Sequence, residues 1–223
     1  MRTFRHWTPA YLANRIRWEA YQRRHPHDPW ITPAAIALLK TLLRPSDAGI
    51  EFGSGRSTHW FGERLGHLTS VEHVPAWFAI VSKQLEAAKV RNISYHLLSI
   101  EPVDDPVRSP YVRVVDGIAD ESLGFALIDG GYREQTAHAA LRKLEAGGLL
   151  VVDNANWYLD HPSPSPYSRT GKGDLNHFWV GFRKRVADWR LVWTSCGCSD
   201  TAIWVKPARW VDPDPGADQA GAG

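Results

Sequence analysis

The sequence predicts an α/β fold, a mostly parallel sheet with helices on both faces. Three observations lead there. Short apolar runs alternate with helix-patterned segments from residue 49 to residue 152. Parallel neighbours need crossovers of this kind, and the crossover helices cover the sheet. The first apolar run ends in a tight glycine turn, Gly53-Ser54-Gly55. Near the end of the chain the alternation stops. There "WRLVWTS" and "TAIWVKP" are separated only by "CGCSD", a connection short enough to force an antiparallel hairpin.

Each element has a local reason. Residues 1–31 form a helical N-terminal extension, because Leu12, Ile16 and Ala20 recur at helical spacing in "PAYLANRIRWEAYQRR" before "HPHDPW" breaks the chain. The main domain spans 32–210. Thr32 and Pro33 supply an N-cap hydroxyl and a proline at the first helical position, and this helix runs to about Leu43. Gly49–Phe52 is the first core strand, Ser57–Leu65 a helix capped by Ser57 and closed by Gly66, and Leu68–Glu72 the second strand. Pro75–Lys89 is a helix with Phe78, Val81, Leu85 and Ala88 on one face. Ile93–Leu98 is a strand, Pro110–Ile118 is helical, and Phe125–Ile128 is a buried strand. A helix over Arg133–Leu144 ends at Gly147-Gly148, and Leu149–Val152 is the next buried strand. The Pro-, Ser- and Gly-rich stretch within 159–174 reads as a flexible loop, and 211–223 as a disordered tail.

Composition narrows the class. At 223 residues one domain can bury a full core. A net charge of +2, with only short basic runs such as Arg23-Arg24, gives no case for a nucleic-acid partner. No apolar run approaches the ~20 residues of a membrane helix. The first residues lack the apolar core of a secretory signal, so a cytoplasmic protein is expected. Cys196 and Cys198 are too few for a disulfide framework and read as reduced thiols in a turn. The eleven tryptophans follow no period. They read as core or interface anchors, with Trp18 and Trp30 either roofing a pocket or mediating a homodimer contact.

The chemistry concentrates in two segments. In "EFGSGRST" the glycines at 53 and 55 allow a ligand to approach the backbone, and the helix that follows offers free N–H groups. Thr58 stands where a dinucleotide fingerprint has its third glycine. Glu51, just before the turn, suits a positively charged ligand better than a phosphate. Glu72, at the end of the second strand, is placed to accept hydrogen bonds from ribose hydroxyls. A plain turn and surface acids near helix ends are the structural alternative. In the second segment, Asp129 and Asp153-Asn154 end adjacent parallel strands, where ligands bind open sheets. Together they mark a site; separately each could cap a helix.

The motifs "EFGSGRS", "SVEH", "FALIDGG" and "EAGGLLVVDN", in this order and with the closing hairpin, resemble the class I S-adenosylmethionine-dependent methyltransferases over about Thr32 to Pro207. The resemblance implies a Rossmann-like seven-stranded sheet of order 3-2-1-4-5-7-6 with the last strand antiparallel. It implies that Glu51, Gly53 and Gly55, with Ser54 and Ser57, surround the methionine part of the cofactor. Glu72 would meet the ribose, Ser99 and Ile100 would lie near the adenine, and His73 and Asp129 would also touch the cofactor. The second segment is similar to the catechol-type and sugar O-methyltransferases, in which Asp129, Asp153 and Asn154 would hold magnesium. Those enzymes carry a lysine base three residues after the first aspartate, and Tyr132 stands there. Asp129, Tyr132 and His177 are therefore the catalytic candidates, with His161 as a further base. Tyr158, Tyr167 and Lys172 could close over a substrate. O-methylation of a small hydroxylated molecule is expected. A silent cofactor-binding domain and a nicotinamide-dependent reductase are the competing readings, the latter weakened by the absence of a Tyr-x-x-x-Lys pair.

Overall fold

The sheet is easiest to follow outward from its central strand in a computed structural model that describes residues 7–100, 104–169, 171 and 175–214. Strand β1 (Ala48–Phe52) pairs in parallel with β2 (His67–Glu72) on one side and β4 (Leu123–Ile128) on the other. Strand β3 (Ile93–Leu97) extends the first side, and β5 (Leu144–Asp153) the second. Strand β7 (Asp200–Val205) runs antiparallel to both β5 and β6 (Arg190–Ser195), so the order is β3-β2-β1-β4-β5-β7-β6. This is the order and direction implied by the resemblance. Because β7 runs backwards, the β6–β7 turn with Cys196 and Cys198 sits at the same sheet edge as the ends of β4 and β5. The pairing of Asp153 with Thr201 fixes that placement.

Alternation along the strands divides the core into two layers. Ile50, Phe52, Ala126, Ile128, Leu150, Val152 and Trp204 face one side. There they meet α6 (Arg133–Leu141) through Ala137, Ala140 and Leu141, and α8 (His177–Arg185) through Trp179 and Phe182. Phe125, Leu127, Leu149, Val151 and Ile203 face the other side. That layer holds α2 (Pro33–Leu42), through Ile36 and Leu39, and α3 (Arg56–Gly62), through Trp60 and Phe61. Helix α4 (Pro75–Ala87) buries Val81 and Leu85, two of the four residues expected on its inner face. The short α5 (Pro110–Arg113) continues as a 3-10 turn over Val114–Gly117, and α7 (Ala155–Tyr158) follows β5 directly.

Five expectations are corrected. The β4–β5 connection is shorter than expected: α6 stops at Leu141, and β5 begins at Leu144. Gly147 and Gly148 lie inside β5, in a bulge between the pairs Leu123–Leu144 and Phe125–Leu149, with Gly147 at φ +83°. Ser57 is not the cap of α3. The helix begins one residue earlier, behind Gly55, because the Thr58 hydroxyl takes the Gly55 N–H at 3.0 Å. Helix α1 (Pro9–Arg24) forms, but Leu12 and Ile16 are exposed and no residue of the helix is buried. It is held through half-buried Tyr21, whose ring packs against the second core layer and whose Oη donates to Asp28 at 2.7 Å. The stretch 161–169 is tied down rather than free: the Ser165 hydroxyl donates to buried Asp200 at 2.5 Å, and Asn156 Nδ2 donates to Pro166 O at 2.9 Å. Finally, α8 occupies a segment for which the sequence raised no expectation, capped by the Asn176 side chain on Trp179 N at 3.0 Å. Lys172 and the tail from 215 onward lie outside the described residues. Before that point Asp212 pairs with the buried Arg185.

Candidate active site at the carboxyl edge of the sheet

The glycine turn after β1 is pressed against the turn after β4. Gly53 has φ +91°, and a Cβ there would lie 2.7 Å from Gly130 N and 2.9 Å from the Asp129 carbonyl carbon. That glycine is a requirement of the fold. Gly55 differs. Its backbone is extended, and a Cβ would meet nothing closer than the Trp77 ring at 3.8 Å. The protein's own packing does not demand a glycine at 55, which leaves room for an outside group to approach the backbone.

Glu51 lies directly beneath this turn, fully buried. Its Oε2 accepts from Thr58 Oγ1 and from Ser70 Oγ, both at 2.7 Å, while Oε1 accepts no well-aligned hydrogen bond from the described residues, the Ser57 hydroxyl lying near the carboxylate without making one. Burial pushes its carboxyl up to about 7. The hydroxyls of Ser57, Ser70 and Thr58 oppose the shift, and the charge of Asp129 adds to it. A buried carboxylate oxygen without a donor is costly unless something positive or hydrogen-bonding meets it.

Glu72 is the opposite case. Its Oε2 accepts from Ser54 N at 3.2 Å and Ser54 Oγ at 2.7 Å, and its Oε1 from His73 N at 2.7 Å and Val74 N at 2.8 Å. Four donors satisfy the carboxylate, and the Ser54 hydroxyl also meets Tyr95 Oη at 2.7 Å. His73 and Ile100 converge on Gly131, where a Cβ would lie 3.1 Å from Ile100 Cδ1 and 3.8 Å from His73 Cε1. Ser99 sits one residue away, its carbonyl accepting from Ser109 at 3.4 Å.

At the end of β4, Asp129 Oδ1 accepts from Arg133 Nη2 at 2.7 Å. The same guanidinium donates to the carbonyls of Asp129 at 2.7 Å, Gly130 at 3.2 Å and Asp153 at 2.5 Å. Asp153 is buried, and its Oδ1 accepts from Thr201 Oγ1 at 2.8 Å. Burial and the neighbouring Asp129 charge push its carboxyl up to about 8, and burial likewise raises the Asp129 carboxyl against the pull of Arg133, so the two acids hold protons more tightly than free carboxylates. Asn154, at φ +51°, donates to Ser199 Oγ at 2.9 Å. The metal ligands that the resemblance implied are thus engaged with protein groups, and Asp129 is already paired with a cation, Arg133. Among the described residues no three His, Cys, Asp or Glu side chains are grouped to hold a metal. These residues do not fit magnesium.

The structure therefore gathers Glu51, Gly53, Ser54, Gly55, Ser57, Glu72, His73, Ile100 and Asp129 along one edge. Tyr132 joins them at φ +45°, but its hydroxyl is spent on Ile100 O at 3.1 Å. His177 is not brought in: it is exposed at the start of α8 with its ring against Phe178. His161 stacks on Trp193, with ring centroids 4.2 Å apart. Trp30 is exposed over Arg56, next to the glycine turn. Sequence reasoning missed Thr58 as the support of Glu51, and Arg133 altogether. The Asp129–Arg133 spacing of four was the available signal.

This sheet, with its reversed β7, is the fold of the class I S-adenosylmethionine-dependent methyltransferases. Solved structures that share it include a methyltransferase-like protein from Silicibacter pomeroyi (TM-score 0.58, 20% identity, 83% of this chain and 91% of that one). A candidate methyltransferase from Streptococcus mutans in complex with SAH also shares it (TM-score 0.53, 12% identity, 78% and 98%). So does a candidate rRNA methylase from Clostridium thermocellum (TM-score 0.51, 15% identity, 78% and 94%). No family model and no curated protein matches the sequence. At these identities the likeness establishes the fold.

Proposed function

We propose that the protein is an S-adenosylmethionine-dependent methyltransferase acting on a hydroxyl group of a small molecule. One observation carries the reading: the buried, unpartnered Oε1 of Glu51 beneath a glycine turn whose second glycine the fold does not need. A carboxylate there favours the cationic end of S-adenosylmethionine and disfavours a pyrophosphate. Gly53 and Gly55 would let that end approach the backbone. Glu72 would meet the ribose once the Ser54 hydroxyl turns away from it, and His73 and Ile100 would flank the adenine.

When bound, the cofactor supplies an electrophilic methyl group on a sulfonium. The chain's part is to orient the acceptor and take its proton. Asp129 is the better base. Its Oδ1 is fixed by Arg133, its Oδ2 accepts no hydrogen bond from the described residues, and its side chain is 30% exposed. Tyr132 is already engaged, and His177 stands apart. The net charge of +2 favours a small acceptor over an RNA strand, although one fold neighbour is a candidate rRNA methylase.

The test is calorimetry with S-adenosylmethionine, its demethylated product and NADH, followed by labelled-methyl transfer to a panel of hydroxylated small molecules and to RNA. Binding of the first two without NADH, with label entering a small molecule, is expected. NADH binding alone, or label in RNA only, would overturn the proposal.

A further inference from the structure

The acids at the ends of β4 and β5 look like metal ligands in sequence, yet in the fold a guanidinium lies among them. Arg133 is 12% exposed and its donors are directed at fixed acceptors: Nε at Gly130 O, Nη1 at Asp153 O, and Nη2 at both the carbonyl and the Oδ1 of Asp129. Tyr158 covers it, with the guanidinium carbon 5.4 Å from the ring centroid. A planar fork suits several oxygens at once, which a flexible ammonium does not. These oxygens come from two strands, so the contacts also join the end of β4 to the end of β5.

We infer that this site works without a divalent cation, and that Arg133 takes the structural place of one as the positioning residue for Asp129. A metal would have only the oxygens that these contacts leave, the second oxygen of each carboxylate and the amide oxygen of Asn154. It would also have to sit beside a fixed positive charge that cannot be deprotonated. What Arg133 leaves available is the second oxygen of Asp129, which accepts no hydrogen bond from the described residues, on a side chain 30% exposed. A single acceptor oxygen, rather than a chelating pair, suits one hydroxyl, so a vicinal diol gains nothing over a simple alcohol. This use of Asp129 rests on the methyltransferase reading; the exclusion of metal does not.

The experiment is a titration of Mn2+, a hard cation that accepts the same oxygen ligands as magnesium, into the full chain, with unbound Mn2+ read from its EPR signal. The wild-type protein should leave that signal as it is in buffer. Arg133→Met removes the charge at similar length and should tighten Mn2+ binding by at least about tenfold. The double variant Arg133→Met with Asp129→Asn should lose that gain. Arg133→Lys keeps the charge and should exclude Mn2+ as the wild type does. If Arg133→Met does not fold, the wild-type and Arg133→Lys arms decide. Saturable Mn2+ binding by the wild type that Asp129→Asn abolishes would overturn the inference, as would a folded Arg133→Met that gains no affinity. Calorimetry with S-adenosylhomocysteine on the same samples reads the proposed function separately. A protein that neither binds it nor takes up Mn2+ would refute the function and leave the metal exclusion standing.

Discussion

The two glycines of the turn after β1 should respond in opposite ways to the same added methyl group. At Gly53 a Cβ meets three backbone atoms at 2.7–2.9 Å, none of which can rotate away, and the backbone sits at φ +91°. Left-handed strain of roughly 1–2 kcal/mol and overpacking of roughly 1–3 kcal/mol give a cost of about 2–5 kcal/mol for Gly53→Ala. For a chain of this size that lowers the melting temperature by about 4–20 °C. At Gly55 the nearest atom is 3.8 Å away and the backbone is extended, so Gly55→Ala meets no clash. Its smaller unfolded-state entropy should even stabilise the fold by ~0.4–1 kcal/mol. If the space at Gly55 serves a ligand, the methyl group instead obstructs that ligand. Affinity for S-adenosylhomocysteine should fall at least about tenfold, with Gly55→Val losing more. Thermal denaturation and calorimetry on the same preparations measure both effects. A Gly55→Ala protein that melts as low as Gly53→Ala, or that binds the product as the wild type does, would refute the assignment of this turn.

Two further outcomes rest on buried charge. Glu51 titrates at about 7 in the fold against 4.5 unfolded. The folded state therefore holds a proton that the unfolded chain releases, and the group's contribution to stability falls as pH rises from about 4.5 to 7. The loss is on the order of 3 kcal/mol. Glu51→Gln should flatten this part of the stability–pH curve, read from denaturant unfolding at pH 5 and pH 8, and parallel curves for the two proteins would contradict the cause given. Arg185 is 1% exposed and receives both oxygens of Asp212. Asp212→Ala should cost about 1.5–3 kcal/mol by removing two charge-assisted hydrogen bonds to that guanidinium, and an unchanged thermal melt would contradict it.

What the sequence disclosed was whatever local pattern determines. The runs at β1, β2, β4 and β5 are buried strands because their residues are apolar and bounded by turns, and the hairpin direction follows from a loop too short to do otherwise. Helix α8 was equally legible in principle, since Trp179, Phe182 and Val186 recur at three and four residues on one buried face. The Pro- and Ser-rich stretch before it drew attention to a loop and left this segment without a reading. Arg133 was not legible in the same way. Three of its four acceptors are carbonyl oxygens, one of them twenty residues away on another strand. Carbonyls carry no residue identity, so no spacing rule points at them. Gly130 is similar: its lack of a side chain is imposed by the Tyr111 hydroxyl, which a Cβ there would overlap.

Thr58 shows how a departure from a motif can carry the meaning of the motif. In a dinucleotide fingerprint the third glycine serves close helix–strand packing. Here the position is fully buried by a threonine whose hydroxyl accepts from Gly55 N at 3.0 Å and donates to Glu51 Oε2 at 2.7 Å. A glycine would leave that N–H without its partner, at about 1–3 kcal/mol, and would leave Oε2 with the Ser70 hydroxyl alone. The threonine and the acid are thus one device, in which the hydroxyl turns one carboxylate oxygen toward the helix and leaves the other without a donor. A pyrophosphate would face that second oxygen as like against like, whereas an ammonium or sulfonium would complete it. On the proposed function, the missing glycine and the unpartnered oxygen are two views of the same preference for a cation.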